Sequence, residues 1–146
     1  MASEDRTPFE IMVVDDEPGD VELIRLALAD GRFICNVTVA VNGTEAMAML
    51  RKQPPHSGLP TPDLMLLDLN MPQKNGKEVL KEMKADPALA LIPVVVLTTS
   101  DAERDVVLSY QLGAAGYVTK PINDDALFAT IRRVEEYWFS VVRRPT

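Results

Sequence analysis

The 146-residue sequence contains a single cysteine, Cys35, which excludes the disulfide framework that stabilises many small secreted domains. No stretch approaches the roughly 18 apolar residues of a membrane-spanning helix. Residues 1–10 carry charges and lack the apolar segment of a secretory signal. We therefore expect a cytoplasmic protein without membrane association, in which Cys35 is a buried strand residue.

Basic side chains are in deficit, with 15 lysines and arginines against 22 acidic residues and a net charge of −7. Because an acidic surface repels phosphate backbones, we expect no direct binding of nucleic acid. No G-x-G-x-x-G motif follows an apolar segment, so a dinucleotide site is not predicted. The one histidine, His56, lies in the proline-rich segment 53–62, which we predict to be a long exposed loop. We interpret His56 as a solvated loop residue and not as a phosphorelay histidine.

The length corresponds to about one domain, since a typical domain has roughly 150 residues. A chain of this size buries about 70% of its unfolded surface, so its fold needs neither a disulfide nor a structural metal. Hydrophobic residues make up 47% of the sequence and charged residues 25%, as in ordinary globular proteins. We predict one domain over residues 1–146, with its core at about 9–138 and a C-terminal helical extension at about 139–146.

Short apolar segments alternate with amphipathic segments along the whole chain. The predicted strands are residues 9–14, a segment within 33–41, and residues 64–67, 93–97 and 117–118. The predicted helices are residues 19–30, 42–52, 77–85, 100–113 and 123–143. Helical connections between short apolar strands imply parallel pairing through right-handed crossovers. We therefore predict an α/β protein built on a doubly wound, five-stranded parallel sheet.

Individual residues predict where several helices begin and end. Gly31 stands where a left-handed terminator is expected, and Gly113 stops the fourth helix. Asn42 followed by Glu45 is typical of a capping box. Ser100 is interpreted as the N-cap of the fourth helix, which leaves the neighbouring threonine hydroxyl available for another role.

Polar side chains follow four of the five predicted strands. They are Asp15, Asp16 and Glu17 after the first strand, Asp68 after the third, Thr98, Thr99 and Ser100 after the fourth, and Thr119, Lys120 and Pro121 after the fifth. Ligands of an open parallel sheet bind beyond the carboxyl ends of its strands. We therefore expect three carboxylates, a hydroxyl and an ammonium group to share one crevice.

The charges of this set indicate which chemistry the crevice supports. Clustered carboxylates disfavour each other's ionisation, and a hard divalent cation removes that penalty. Oxygen ligands favour Mg²⁺. Lys120 and Thr98 add an ammonium and a hydroxyl, which suit the oxygens of a phosphoryl group. Asp68 lies at the centre of the set, so an aspartyl phosphate on Asp68 is the natural interpretation.

Four motifs in this order resemble the receiver domain of two-component response regulators. They are residues 13–17, residues 66–72 together with Gly76, residues 94–98 and residues 117–121. The resemblance extends over residues 9–138 and implies a flavodoxin-like fold of five βα units. It also implies that Asp68 accepts a phosphoryl group from a sensor histidine kinase and that the protein is not a turnover enzyme.

The resemblance further implies roles for particular residues. Mg²⁺ would be bound by Asp16, Asp68 and the Asn70 carbonyl, with Asp15 acting mainly through a metal-bound water. Lys120 would pair with the phosphoryl oxygens. The peptide bond Lys120–Pro121 would be cis, and Thr98 and Tyr117 would form a conformational switch. Asn70 and Ser100 would tune the rate of self-hydrolysis. The site would be modulated by Glu17, Ser100 and Pro121.

The last predicted helix is longer than its own sheet requires. Its apolar positions include Leu127, Ile131, Val134, Trp138 and Val141, with Tyr137, Phe139 and Val142 beside them. A large apolar cluster left in water is unusual, so we interpret Trp138, Phe139, Tyr137 and Val142 as interface candidates. The alternative is that the helix end folds back or frays.

A subtype is also indicated, because Met71-Pro72 followed by residues 75–80 and a long last helix resembles single-domain receivers associated with phytochromes. The expected partners are then a sensor kinase, in this subtype a bacteriophytochrome, and a second copy of the chain. The dimer would form through the fourth helix, fifth strand and fifth helix.

Two other classes of function remain as alternatives. A haloacid dehalogenase phosphatase also uses aspartate, threonine or serine, lysine and an acidic pair, but its nucleophile precedes the other motifs within D-x-D. Here Asp68 follows the acidic pair and Asn70 stands at the second acid position. The other alternative is a receiver-like interaction module that is never phosphorylated.

Overall fold

A computed structural model describes residues 8–71, 73–99 and 101–141 of the chain. Strands and helices alternate along it. The strands are β1 (Phe9–Val14), β2 (Cys35–Ala40), β3 (Leu64–Leu67), β4 (Val94–Thr98) and β5 (Gly116–Thr119). The helices are α1 (Pro18–Asp30), α2 (Gly43–Leu50), α3 (Gly76–Ala85), α4 (Glu103–Gln111) and α5 (Asp124–Val141). None of these helices has the length and apolar character needed to cross a membrane.

The five strands form one parallel sheet in the order β2-β1-β3-β4-β5. The order reverses direction after β1, as in a doubly wound sheet, so the predicted fold class is confirmed. In the register of the sheet Leu67 lies beside both Val14 and Val96. The carboxyl ends of β1, β3 and β4 therefore lie side by side.

Two apolar layers enclose the sheet because successive strand residues point to opposite faces. Ile11 and Val13 pack with α1 and α5, whereas Met12 and Val14 pack with α2 and α3. Strands β3 and β4, each paired on both sides, are buried along their whole length. Their continuous apolar sequences are typical of strands covered by helices on both faces.

The N-termini of α2 and α3 are both closed by an asparagine. Asn42 accepts a hydrogen bond from the Glu45 N–H at 2.8 Å, as predicted, but the Glu45 carboxylate accepts from Val41 N–H instead of Asn42 N–H. The prediction of a reciprocal capping box at the N-terminus of α2 is therefore wrong. It occurs at α3, between Asn75 and Glu78, where the same Asn-x-x-Glu spacing was overlooked.

The fourth helix does not begin where the sequence suggested. Helix α4 starts at Glu103 after Ala102, which makes no side-chain cap, so the prediction of Ser100 as its N-cap is wrong. Acidic residues in the first turn, Glu103 and Asp105, interact favourably with the helix dipole in place of a cap. Ser100 itself lies outside the described residues. At the other end Gly113 adopts φ 101°, which confirms it as the stop.

The C-terminal end of α5 packs against its own domain. The Phe139 ring stacks on Phe9 with ring centroids 3.8 Å apart. Trp138 is half-buried against the apolar layer between the sheet and helices α1 and α5. Helix α5 is continuous to Val141, so its end does not fold back as the alternative predicted. Trp138 and Phe139 instead pack against residues of their own chain, among them Phe9 and Phe33. Tyr137 is 55% exposed, and Val142 lies outside the described residues.

Gly31 ends α1 for a reason other than the one predicted. Its φ is −73°, so it is not a left-handed terminator. A Cβ at this position would lie 1.6 Å from Oε1 of Glu135, on α5. Glycine is therefore required by the close approach of a buried carboxylate from another helix.

Glu135 lies between α1, β2 and α5 with 1% of its surface exposed. Its carboxylate accepts a hydrogen bond from the thiol of Cys35 at 3.4 Å. Burial raises the pKa of Glu135, the Cys35 hydrogen bond and Arg132 lower it in part, and the charges of Glu136 and Asp30 raise it. Burial, together with Glu135, raises the pKa of the Cys35 thiol to about 12, so this thiol stays protonated and unreactive.

Replacing Glu135 by Gln is expected to remove a pH dependence of stability. Because the folded state raises the pKa of Glu135, its contribution to stability is full below the unfolded pKa and is lost as pH rises through the folded pKa. Urea unfolding should therefore show equal stabilities near pH 4 and a variant more stable by about 1 kcal/mol at pH 7. Glu136→Gln, an exposed neighbour with the same charge change, should show no such trend. Parallel pH profiles for the wild type and Glu135→Gln would contradict this account.

Candidate phosphoacceptor and metal site

The backbone at the carboxyl end of the sheet is held by hydrogen bonds between neighbouring strands. The N–H of Asp68 donates to the Val14 carbonyl at 2.9 Å, and the N–H of Lys120 donates to the Thr98 carbonyl at 2.6 Å. The N–H of Asp15 donates to the Ala40 carbonyl at 3.0 Å. The residues that follow β1, β3 and β5 are therefore fixed relative to one another by the sheet itself.

Three carboxylates converge at this edge of the sheet. Asp15, Asp16 and Asp68 each offer an oxygen atom, and these atoms lie within 4.8 Å of one another. Asp15 and Asp68 are buried, whereas Asp16 is exposed and open to solvent. Oxygen ligands from carboxylates, with access for water on one side, fit a hard divalent cation such as Mg²⁺. The donor set therefore suits the predicted metal.

A buried lysine faces the carboxylates from β5. The Lys120 ammonium lies 2.7 Å from Oδ2 of Asp15 and 3.6 Å from Oδ2 of Asp68. It also donates a hydrogen bond of 3.0 Å to Oδ2 of Asp20, in the first turn of α1. The expected crevice thus contains the predicted ammonium group and one carboxylate that sequence reasoning missed.

Burial and the charges within the crevice shift the pKa values of Asp15 and Lys120. Burial raises the pKa of Asp15, its hydrogen bonds with Lys120 and Glu17 N–H lower it in part, and the Asp68 charge adds to the rise. Burial alone would lower the pKa of Lys120, but Asp15, Asp20 and Asp68 outweigh that effect and raise it. Lys120 is therefore a permanent cation in the crevice, and its charge partly compensates the clustered acids.

Two short loops orient the carboxylates of Asp15 and Asp68. Oδ1 of Asp15 accepts the Glu17 N–H at 2.9 Å, and Oδ1 of Asp68 accepts the Asn70 N–H at 3.1 Å. Each bond spans two residues, which is the local geometry that aspartate favours in a turn. Glu17 itself is exposed and caps α1 through Gly19 N–H, so its carboxylate is not one of the three clustered acids.

The hydroxyl predicted for the site comes from the end of β4. Thr98 is completely buried, and its Oγ1 accepts a hydrogen bond from the Asn70 amide at 3.3 Å. Tyr117 lies on the adjacent strand β5 and is half-buried against the layer formed with α2 and α3. The structure therefore places Thr98 beside residues 68–71, the acceptor loop that follows β3, and places Tyr117 on the strand next to Thr98.

The remaining predictions concern the Lys120–Pro121 peptide bond and the two modulators Pro121 and Ser100. Among the described residues the cis peptide bond is Pro54–Pro55, so the expected cis bond at Lys120–Pro121 is not found. An X–Pro bond still favours the trans form in the absence of a constraint, which is consistent with this outcome. Pro121 lies half-buried beside the crevice, and Ser100, the other predicted modulator, is outside the described residues.

Asp20 was missed because it belongs to a helix and not to a strand end. Its position in the first turn of α1 reads as an acidic residue that favours the helix N-terminus. The one feature of the sequence that could have indicated a role in the site is that Asp20 lies five residues after Asp15, just inside the helix that follows β1. Only the tertiary structure shows that the Asp20 carboxylate reaches the Lys120 ammonium.

Comparison with known proteins agrees with this geometry. The chain is 40% identical over 145 residues to the response regulator Rcp1 of Synechocystis sp., with 99% of each chain covered. A crystal structure of the phosphorylated cyanobacterial phytochrome response regulator RcpA matches with a TM-score of 0.92 and 43% identity, covering 96% of this chain and 100% of that one. The Mn²⁺-bound form of Rcp1 matches with a TM-score of 0.90 and 40% identity, covering 95% and 100%.

A family model described as the response regulator receiver domain matches residues 11–132. This segment contains all four motifs identified above and every strand of the sheet except the first two residues of β1. The chain therefore belongs to the response regulator receiver family.

Proposed function

We propose that this chain is a single-domain response regulator of the cytoplasm that accepts a phosphoryl group on Asp68. The observation that carries the proposal is the meeting of three clustered acids, Asp15, Asp16 and Asp68, with the buried Lys120 ammonium and the buried Thr98 hydroxyl. A nucleophilic carboxylate, a cation and a hydrogen-bond donor are the groups that phosphoryl transfer requires.

The transfer step conserves atoms and charge. A carboxylate oxygen of Asp68 forms a bond to phosphorus while the P–N bond to a phosphohistidine of the donor breaks, and the histidine nitrogen keeps the bonding electron pair. The product is an aspartyl phosphate at residue 68. The Lys120 ammonium, 3.6 Å from Oδ2 of Asp68, lies within reach of the new phosphoryl oxygens. Hydrolysis later transfers the phosphoryl group to water, which releases inorganic phosphate and returns Asp68 to a carboxylate. The output that we propose is the phosphorylated chain itself and not a released product, so we propose a phosphoacceptor and not a turnover enzyme.

Asp15, Asp16 and Asp68, with the Asn70 carbonyl, would hold Mg²⁺. When bound, this ion supplies positive charge to the phosphoryl oxygens as the transfer proceeds. The spacing of the three carboxylates supports this assignment, and the similar protein Rcp1 has been solved with Mn²⁺ bound.

The donor that we propose is a sensor histidine kinase of the phytochrome class. The similar protein RcpA is described as a cyanobacterial phytochrome response regulator, and it covers 96% of this chain at 43% identity. Light is then the signal that reaches the receiver through the kinase. Thr98 and Tyr117 would form the switch that responds to the phosphoryl group. The lifetime of the aspartyl phosphate would be modulated by Asn70, Glu17, Ser100 and Pro121.

The function is tested by labelling the protein with acetyl phosphate and Mg²⁺ and by trapping the product with borohydride before peptide mapping. We expect one phosphoryl group per chain, on the peptide that contains Asp68, and no labelling when EDTA removes the metal before acetyl phosphate is added. Continuous release of phosphate from many soluble phosphate esters would instead favour the phosphatase alternative. Absence of any label would favour the interaction module that is never phosphorylated.

We also propose that the face of α4, β5 and α5 forms a homodimer. Helix α4 contributes to this face and leaves Val107 47% exposed and Tyr110 51% exposed. In sedimentation experiments the wild type is expected to dimerise at high micromolar concentration, and Tyr110→Glu is expected to weaken the dimer about tenfold or more. Leu26→Glu, at an equally exposed apolar position on α1, is the control. A wild type that stays monomeric would eliminate this interface.

A further inference from the structure

The Lys120 ammonium is shared unequally among three carboxylates. Its nitrogen lies 2.7 Å from Asp15 and 3.0 Å from Asp20, both within hydrogen-bond distance. The distance to Asp68 is 3.6 Å, which is an ion pair without a hydrogen bond. The ammonium is therefore held on the α1 side of the crevice and not on the proposed acceptor.

Asp20 is not one of the three acids that cluster for a metal. It projects from the first turn of α1, and its side chain is 29% exposed, whereas that of Lys120 is 5% exposed. A carboxylate in this turn is also stabilised by the helix N-terminus. The hydrogen bond to Lys120 joins residues 100 positions apart, so it is formed by the tertiary fold and not by local sequence.

We infer that Asp20 is a positioning residue that restrains Lys120 and thereby slows phosphorylation of Asp68. This inference rests on the function proposed above, because it concerns how readily the Lys120 ammonium can donate hydrogen bonds to a phosphoryl group on Asp68.

The reason lies in the number of hydrogens that an ammonium group can donate. Lys120 has three, and Asp15 and Asp20 take two of them, so one remains for a phosphoryl group. Without the Asp20 carboxylate a second hydrogen becomes available, while Asp15 still anchors the ammonium. Removal of Asp20 also removes one negative charge that repels an anionic phosphoryl donor.

The experiment compares initial rates of labelling by acetyl phosphate, with Mg²⁺ saturating for each variant so that metal affinity does not enter. Asp20→Ala is expected to label about fivefold faster than the wild type, which corresponds to roughly 1 kcal/mol. Asp20→Asn should be intermediate because its amide oxygen is a weaker, uncharged acceptor. Asp20→Glu should restore the slow rate because a longer carboxylate still reaches the ammonium.

Glu22→Gln is the matched control, since Glu22 is an exposed acid on the same helix and lines the groove between α1 and β2. It should label at the wild-type rate, which separates contact with Lys120 from a general change of charge. Binding of beryllofluoride, which imitates a phosphoryl group, provides a readout without transfer chemistry. We expect Asp20→Ala to bind it about fivefold more tightly than the wild type.

The inference is overturned if the wild type is labelled on Asp68 but Asp20→Ala is equally fast or slower. It is also overturned if Glu22→Gln accelerates labelling as much as Asp20→Ala does. If the wild type is not labelled on Asp68, the proposed function fails first, and the role of Asp20 fails with it.

Discussion

Asp68→Asn is expected to lose at least 99 of every 100 phosphoryl groups that the wild type acquires, roughly a hundredfold reduction or more. An amide is not a nucleophile toward phosphorus, and no other carboxylate of the cluster lies at the end of the central strand β3. The measurement is separation of phosphorylated from unphosphorylated chains on a phosphate-binding gel after treatment with acetyl phosphate and Mg²⁺.

The loss should not reflect unfolding. The charges of Asp68 and Asp15 repel each other across the crevice, so the neutral variant is expected to unfold at a urea concentration at least as high as that of the wild type. Folding and labelling are therefore expected to separate in this variant.

Asp63→Asn is the matched control for Asp68→Asn. Asp63 immediately precedes β3, whereas Asp68 immediately follows it, and the two substitutions change charge equally. The Asp63 carboxylate accepts a hydrogen bond from Glu10 N–H at 2.8 Å, which an amide oxygen can still accept. Asp63→Asn should label normally. Equal labelling of Asp68→Asn and the wild type would refute Asp68 as acceptor.

The second large effect is expected from Gly76→Ala. A Cβ on Gly76 would lie 2.3 Å from the carbonyl oxygen of Asp68 and 2.8 Å from Cα of Leu69. Both are backbone atoms, so the collision is relieved only by moving the start of α3 or the acceptor loop. We expect a loss of about 3 kcal/mol in the free energy of unfolding, measured in urea. Labelling of the folded fraction should also slow because the Asp68 carboxylate is displaced.

Gly58→Ala is the corresponding control. Apart from Gly58 and its two chain neighbours, no heavy atom of the described residues lies within 4 Å of a Cβ built at Gly58, in the loop between α2 and β3. Its free energy of unfolding should change by less than about 0.5 kcal/mol. If Gly76→Ala were as stable as Gly58→Ala, the close contact between α3 and the acceptor loop would be wrong.

Local patterns were sufficient for the elements of the sheet. The apolar segments that became β1 and β3 coincide with the predicted strands, since continuous apolar residues bounded by acids mark a strand end without reference to distant contacts. The fourth helix was less predictable. Ser100 has the residue type of a cap, yet α4 begins only at Glu103, where Asp105 also forms an ion pair with Lys77 of α3 at 2.9 Å.

The end of α5 illustrates the same limit. Its apolar residues are visible in the sequence, but their partners depend on where the starts of β1 and β2 lie beneath the helix. Phe9 and Phe33 surround the Phe139 ring at centroid distances of 3.8 and 5.7 Å. An aromatic cluster that suggested an external partner is therefore satisfied in large part within the chain.

Chain direction and hydrophobic period alone were enough to place Asp15, Asp68, Thr98 and Lys120 at one edge, because every strand of a parallel sheet ends on the same side. Lateral order and helix packing were needed to bring Asp20 to Lys120 and Glu135 to Gly31. Such contacts join residues about a hundred positions apart, and no local periodicity encodes the distance between them.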